Sequence, residues 1–208
     1  MEFLKNIEAV ILAGGDYPTA QTPLAILRSA PYVVCCDGAT NEYIARGNRP
    51  DAIVGDGDSL SADVVAQFSD ILHINPDQET NDQTKAVKFL QSRDVTRIAI
   101  VGATGKREDH TLGNISLLAE YQRAGLNVRI YTDYGVFMAC SGDCSVACQK
   151  NQAVSIFNLS ARNLSAKGLQ YPIYDFTQLW QGTLNRTTAD ELSISADGKY
   201  LLFVAYAE

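Results

Sequence analysis

What this chain lacks narrows its class. No apolar run approaches the roughly 20 residues needed to span a bilayer, and the opening residues, Met1 to Gly15, show no leader-peptide pattern. No basic tract stands out. With 17 Lys and Arg against 24 Asp and Glu the net charge is −7, which argues against non-specific nucleic-acid binding. Neither a membrane nor a nucleic acid is therefore expected as a partner. A phosphate ligand stays open, because a metal ion can supply positive charge locally.

Histidine is scarce, with only His73 and His110, and neither lies near Cys140, Cys144 and Cys148. Those cysteines recur every four residues in a segment that reads as strand, where such spacing gives no compact tetrahedral site. Cys35-Cys36 fall in an apolar run and read as buried thiols. All five cysteines are taken as structural, in a reducing, cytoplasmic compartment. Two nucleotide signatures are missing as well. Gly14-Gly15 is no dinucleotide fingerprint. Gly102 to Lys106 falls short of a phosphate-binding P-loop, having too few residues between its glycines and Arg107 where Ser or Thr is required. There is no low-complexity linker and no internal repeat.

What is present is a globular composition, 46% hydrophobic and 20% charged over 208 residues. Strand-like runs at Glu8 to Ala13, Tyr32 to Cys36, Ala52 to Val54, Ile71 to Ile74, Arg97 to Val101 and Asn127 to Tyr131 alternate with helix-compatible segments. The latter are Pro23 to Ser29, Asn41 to Arg46, Ala62 to Phe68, Asp82 to Gln91 and Leu112 to Arg123. That alternation predicts an α/β unit with a parallel sheet covered on both faces. After about Asp133 the helix signals fade. Short β-rich runs follow at Gly135 to Ala139, Ser145 to Ala147, Ala153 to Asn158, Glu191 to Ser195 and Tyr200 to Tyr206, with Asp197-Gly198 reading as a hairpin turn. The expected organisation is an α/β unit over 1–133 and a smaller all-β unit over 134–208, near the size at which a core alone is marginal.

Acidic and glycine signals cluster just after the apolar runs, where open parallel sheets bind ligands. Ala52-Ile53-Val54 ends in Gly55-Asp56-Gly57-Asp58-Ser59. Extended residues two apart point the same way, so Asp56 and Asp58 can aim at one spot and need a proton or cation between them. A second acidic loop, Asp77 to Asp82, opens a helix with Thr80 or Asn81 as N-cap, and Lys85 shares a face with Asp82. Two acidic loops converging with a lysine suggest a magnesium–phosphate site. The Gly102 to Asp109 loop adds backbone N–H groups, Lys106 and Arg107 for a phosphate, and Asp109 at a cap or metal-ligand position. His110 can contact the loop or a phosphate, whereas His73 reads as structural. Trp180, the only tryptophan, reads as core, interface or a stacking surface for an aromatic ligand.

In their order and spacing these segments resemble the thiamin pyrophosphokinase family. Its Asp-Gly-(Gly/Ala)-Ala/Thr-Asn segment is matched by Asp37 to Asn41, and its Gly-Asp-x-Asp-Ser loop by Gly55 to Ser59. Its Asp-Gln-x-Thr-x-Asp-x-x-Lys segment is matched by Asp77 to Lys85. A Gly-x-Arg-x-Asp-His-x-x-x-Asn segment is matched by Gly105 to Asn114. In the second half Gly168 to Pro172 resembles a Gly-Leu-x-Tyr/Trp segment. Near Gly182 the family's serine-rich stretch is replaced by Thr187, Thr188 and Ala189, the alanine standing where the family carries asparagine.

The resemblance implies an α/β nucleotide-binding unit followed by a β-sandwich, in a homodimer with active sites between subunits. It implies transfer of pyrophosphate from ATP to thiamin, with Asp56, Asp58 and Asp82 holding Mg2+ and Lys85, Arg107 and Asp109 completing the catalytic set. Asp37, Gln78, Thr80 and His110 are expected on the nucleotide, and Thr187, Thr188 and Trp180 at the acceptor. The rivals are a pyrophosphokinase acting on another heterocyclic alcohol such as a pterin, a nucleotide-sensing module without turnover, and a metal-dependent phosphohydrolase.

Overall fold

A computed structural model describes residues 6–207. Its first half follows from the apolar runs. The strands β1 (Ala9–Leu12), β2 (Val33–Cys36), β3 (Ala52–Gly55), β4 (Leu72–Ile74), β5 (Arg97–Val101) and β6 (Asn127–Tyr131) pair in parallel in the order β6-β5-β1-β2-β3-β4. Strands buried on both faces read as continuous hydrophobic runs, and β1 shows why. Ala9 and Ile11 enter the core beneath the helices α4 (Asp82–Gln91) and α6 (Leu118–Arg123), while Val10 and Leu12 enter the core beneath α1 (Gln21–Arg28) and α2 (Asp37–Ala45). A short helix α3 (Ala62–Gln67) covers the β3 side with Val64, and Phe68 follows it into the same cluster.

The second half is antiparallel and is built onto the first. β7 (Gly135–Ser141) turns back on β6, and β13 (Lys199–Ala205), β9 (Ala153–Asn158) and β11 (Asn185–Arg186) extend the sheet to ten strands. A separate three-stranded sheet, β10 (Arg162–Lys167), β12 (Glu191–Asp197) and β8 (Cys144–Ala147), packs on it as a sandwich. Alternation along β13 serves both faces: Tyr200, Leu202 and Val204 fill the sandwich core, whereas Leu201 belongs to the core under α4 and α6. The fold is thus α/β with a large, mainly parallel sheet and a β-sandwich half.

Four local expectations change. The helix expected from Asn41 begins at Asp37, directly after β2, so the Asp37 to Thr40 segment is the first turn of α2 rather than loop. The helix expected over Leu112 to Arg123 is two, α5 (Glu108–Ser116) and α6, meeting at Leu117. The bend turns Leu118 and Tyr121 into the core while α5 buries no residue. Asp197-Gly198 does make a tight turn, but β12 and β13 lie in different sheets, so it carries the chain across the sandwich instead of closing a hairpin. Finally, β10 and β11 add strands that no apolar run marks. His73 lies in β4 with its ring 4.5 Å from that of Phe89, as a structural histidine should.

Candidate active site

The site grows from the carboxyl ends of β1, β2, β3 and β5. Asp37, the first residue of α2, is 1% exposed. Its Oδ2 accepts N–H bonds from Gly57 at 2.8 Å and Ser59 at 3.4 Å, so a carboxylate beneath the loop sets the conformation of the Gly55 to Ser59 turn. Gly55 permits this approach: a Cβ there would stand 2.5 Å from the Cβ of Asp37. One ligand oxygen each from Asp37, Asp56 and Asp58 lie within 4.8 Å of one another. Burial drives the Asp37 carboxyl upward, against the pull of its two N–H donors. The Asp56 carboxyl is held below its usual range, chiefly by the Asp58 N–H and further by Gln78 and Lys85.

Lys85 supplies the opposing charge. It projects from α4, is buried, and places Nζ 3.1 Å from Asp82 and 3.7 Å from Asp56. Burial works against its ammonium, but the Asp82 and Asp56 carboxylates outweigh it and raise its pKa. The sequence places α4 accurately because Asn81 caps it, accepting the N–H of Thr84 at 2.9 Å. Thr80 has a different role: its hydroxyl donates to Asp77 at 2.7 Å and closes the acidic loop. Asp82 therefore faces Lys85, and it is Asp37 that stands grouped with Asp56 and Asp58. Burial, and then the charges of Asp82 and Asp56, push the Asp37 carboxyl up, and buried Asp37 is the member that sequence spacing did not place in the group.

The far wall comes from the β5–α5 loop. It is tied to the β1–α1 loop by Gly15 N–H donating to Gly102 C=O at 2.7 Å and Asp16 N–H to Thr104 C=O at 2.8 Å. A Cβ on Gly15 would approach the Thr104 oxygen to 2.3 Å, so only glycine allows the two loops to meet. Lys106 donates to Gly14 C=O at 2.9 Å. Arg107 and Asp109 pair at 2.6 Å, both largely exposed at 71% and 61%. That contact raises the guanidinium pKa and lowers that of the carboxyl. Asp109 caps nothing; it sits inside the first turn of α5 and is engaged by Arg107.

Between these walls lies a cavity of about 600 Å³. Asp56, Gln78, Thr80, Asp82, Lys85, Arg107 and His110 all line it. Lys106, expected beside Arg107 for a phosphate, lines it as well, and so do Asn81, Gln83 and Asn114, which were not picked out as site residues. Asn114 is the most informative of these. It donates to Ala103 C=O at 2.8 Å and accepts from Asn81 at 2.9 Å, so it fastens α5 to both walls.

Thr187, Thr188 and Trp180 do not meet this cavity within the chain. The Thr187 hydroxyl is buried and bonded to Gln149 C=O and Gln152 N–H. Thr188 is exposed, and Trp180 is 72% exposed on a short 3-10 helix, Leu179–Gly182. Exposed Leu179, Leu184, Tyr171 and Tyr174 accompany it in the same stretch of chain.

A parallel α/β sheet with a buried carboxylate and a buried lysine beyond its strand ends, extended by a β-sandwich, belongs to the class of open α/β folds that bind ligands at the carboxyl ends of their strands. Family-level comparison then narrows the class. The thiamin pyrophosphokinase catalytic domain matches residues 24–130 and the thiamin pyrophosphokinase substrate-binding domain matches residues 135–203. The chain belongs to the thiamin pyrophosphokinase family.

Among similar proteins, thiamine pyrophosphokinase 1 of rice (Oryza sativa subsp. japonica) is 29% identical over 138 residues, 54% of this chain and 48% of that protein. Thiamine pyrophosphokinase 3 of rice is 31% identical over 110 residues, 41% of each chain. The chain thus spans about half the length of the curated relatives it matches. The crystal structure of thiamine pyrophosphokinase from Bacillus subtilis superposes with a TM-score of 0.79 at 18% identity, covering 96% of this chain and 99% of that one. Thiamin pyrophosphokinase from Candida albicans gives 0.79 at 17% identity, covering 99% and 91%. At these identities the superpositions establish the fold.

Proposed function

We propose that this chain transfers the pyrophosphoryl group of ATP to the hydroxyl of thiamin, giving thiamin diphosphate and AMP. One observation carries the reading: Asp37, Asp56 and Asp58 stand together beside a buried Lys85 at the strand ends of a chain that both family domains match. The acidic group suits Mg2+. Asp37 Oδ1 is buried without a hydrogen-bond partner among the described residues, and such an orphaned carboxylate oxygen is satisfied by a cation. Asp37, Asp56 and Asp58 would hold the ion, with Asp82 across Lys85 from them; when bound it neutralises charge on the phosphates.

The remaining steps belong to the chain. Lys85 pairs with both Asp56 and Asp82 and helps hold the Asp56 carboxyl below its usual range, and Gln78 fixes Asp56 through a 3.3 Å bond. Lys106, Arg107 and His110, with the N-termini of α2, α4 and α5, offer donors and positive potential to the triphosphate and to the charge that develops on the departing AMP. Asp109 holds Arg107 ready, and a carboxylate of the set accepts the proton of the attacking hydroxyl. Catalysis is positioning plus charge neutralisation.

Thr187, Thr188 and Trp180 would serve the acceptor across a homodimer, each sandwich half facing the cavity of a second copy. The division of labour would run 1–133 for ATP and magnesium and 134–208 for thiamin and dimerisation, in a cytoplasmic enzyme. No helix among the described residues is long and apolar enough to cross a membrane. The deciding experiment is an acceptor panel with ATP and magnesium, read by AMP release and product mass. AMP and thiamin diphosphate in equal amounts support the reading. Phosphate release without acceptor, or AMP only with another alcohol, refutes it.

A further inference from the structure

Cys140 lies near the end of β7 and Cys144 opens β8, with only Ser141-Gly142-Asp143 between them. Because β7 and β8 belong to opposite sheets, the turn carries the chain across the sandwich edge and brings the two sulfurs to 3.0 Å. The turn is fastened from both sides. Asp143 accepts from Ser195 Oγ at 2.7 Å and Ala196 N–H at 3.1 Å, and the Tyr200 hydroxyl donates to Gly142 C=O at 3.2 Å.

The two thiols differ in access. Cys140 is buried among the sandwich residues. Cys144 is half-buried and lines an open concavity with Asp143, Ser145, Lys167 and Ser195. Cys144, packed at the margin of the sandwich core, is the more accessible of the two, and its sulfur meets that of buried Cys140. No other pair of this chain's cysteines is placed this way. Cys35 and Cys36 are consecutive on β2 and point into opposite cores, and Cys148 donates instead to Ala189 C=O at 3.2 Å.

We propose that Cys140 and Cys144 form a reversible intramolecular disulfide and are the site of thiol–disulfide exchange with low-molecular-weight disulfides such as oxidised glutathione. The contact must shorten from 3.0 Å to a bond of about 2.0 Å, a movement that side-chain torsions across a three-residue turn can supply. The Cys144 thiolate attacks one sulfur of the small disulfide, forming a mixed disulfide and expelling a thiolate. Cys140 then attacks the Cys144 sulfur, closing the protein disulfide and expelling the second thiolate. The two expelled thiolates take up the two protons lost by the protein, so one small disulfide is reduced as one protein dithiol is oxidised.

The electrostatics agree with that order of attack. Cys144 is brought down to about 7, first by the S–H of Cys140, then by the Tyr200 hydroxyl and the charge of Arg129, against the effect of burial. Cys140, donating to Cys144 and buried, is pushed up. The outer thiol is thus the nucleophile and the inner one the resolving group. Closing so short a loop restricts the unfolded chain less than a long loop would, so the deciding signature of oxidation is chemical.

The test equilibrates the full chain with mixtures of reduced and oxidised glutathione, quenches with acid, alkylates under denaturing conditions and maps peptides without reduction. Expected is a species lacking two hydrogens, with Cys140 joined to Cys144, the other three of the five cysteines alkylated, and full reversal by dithiothreitol. The Cys140→Ser protein should stop at a glutathione adduct on Cys144, whereas Cys144→Ser should form neither adduct nor internal bond at this pair. Cys148→Ser should behave as the parent protein does. Persistence of both free thiols across all mixtures would overturn the proposal, as would a disulfide involving Cys148 or a Cys140→Ser protein that takes up no glutathione. A variant that melts early is read at lower temperature, where the same adduct pattern decides.

Discussion

The two walls of the cavity are built on different principles. On the α4 wall the helix is capped by Asn81, and Ala86, Val87 and Leu90 are buried. The charges there, Lys85 with Asp82 and Asp56, are held in a largely desolvated network. On the α5 wall the helix has no side-chain cap and no buried residue, and its ion pair, Arg107 with Asp109, stands in solvent. An exposed pair contributes little to stability, whereas a buried one is costly to break. The lesson is that one wall is anchored through its core face and buried charges, while the other is held by hydrogen bonds to neighbouring loops and carries its ion pair in solvent. Substitutions should therefore separate function from folding differently on each side.

The largest effect is expected at the acidic turn. Asp56→Asn or Asp58→Asn should lower single-turnover AMP release by about a hundredfold to a thousandfold. Ligand-free stability should hold or rise for Asp58→Asn, since a like charge is removed from a crowded group, and should fall for Asp56→Asn, whose carboxylate pairs with buried Lys85. Melting curves with and without magnesium-ATP check this, and a variant that melts early yet turns over normally would reduce the turn to scaffolding. Next, Lys85→Met should cost about a hundredfold in rate and lower the melting temperature, because Asp82 and Asp56 lose their buried partner. The α5 wall should respond otherwise: Arg107→Ala is expected to slow turnover by about tenfold and leave the melt unchanged. Equal melting losses for Lys85→Met and Arg107→Ala would break the contrast between the walls.

Smaller effects sharpen it. Asn81→Ala should destabilise by about 1 kcal/mol through the lost cap, visible in urea unfolding. The mildest is a pH effect at the hinge between the halves. Asp133 is pushed up by burial, but the Thr19 hydroxyl and the Ala20 and Thr19 N–H groups outweigh this and leave its carboxyl lowered. A carboxyl lowered on folding adds stability above its unfolded value of about 3.9, and that stability is lost as pH falls through the folded value. Acid unfolding should therefore be steeper below about pH 4 in the parent than in Asp133→Asn; identical slopes would show that the Asp133 clamp is not titrating.

Much of this was legible before the structure, for identifiable reasons. Helix α4 and strands β5, β6 and β9 fall where the apolar patterns and the Asn81 cap put them. Asp56 and Asp58 do converge, but in a turn beyond β3 with Gly57 at φ 87° rather than along an extended strand. Lys85 was legible from spacing alone, because helix periodicity fixes which side chains share a direction. The place of Asp37 was not. Its neighbour Gly38 reads as a breaker, and the contact with Gly57 and Ser59 joins residues about twenty apart that only the β2–β3 pairing aligns. The break at Leu117 lies inside an unbroken apolar pattern, so nothing local announces it. β10 offers only Leu164 and Ala166 as apolar residues, and its pairing with β12 slips between Arg162 and Ser165. Asp197-Gly198 signals a reversal but not whether the arms pair, since that depends on which sheet each arm joins.

The place of β13 in the strand order has a consequence for how the chain is made. β1 to β6 pair only among themselves before β7 joins, so the parallel part can assemble while later residues are still being synthesised. The sandwich cannot. β7 and β9 are both flanked by β13, so until Lys199–Ala205 leaves the ribosome they have an empty lane between them. Leu202 and Tyr200, which fill the middle of that half, arrive with it. A nascent chain stalled short of Lys199 should therefore expose unpaired β edges beside an already folded α/β half. In that interval, brief in time but long in sequence, a chaperone or a neighbouring nascent chain has its best opportunity to bind.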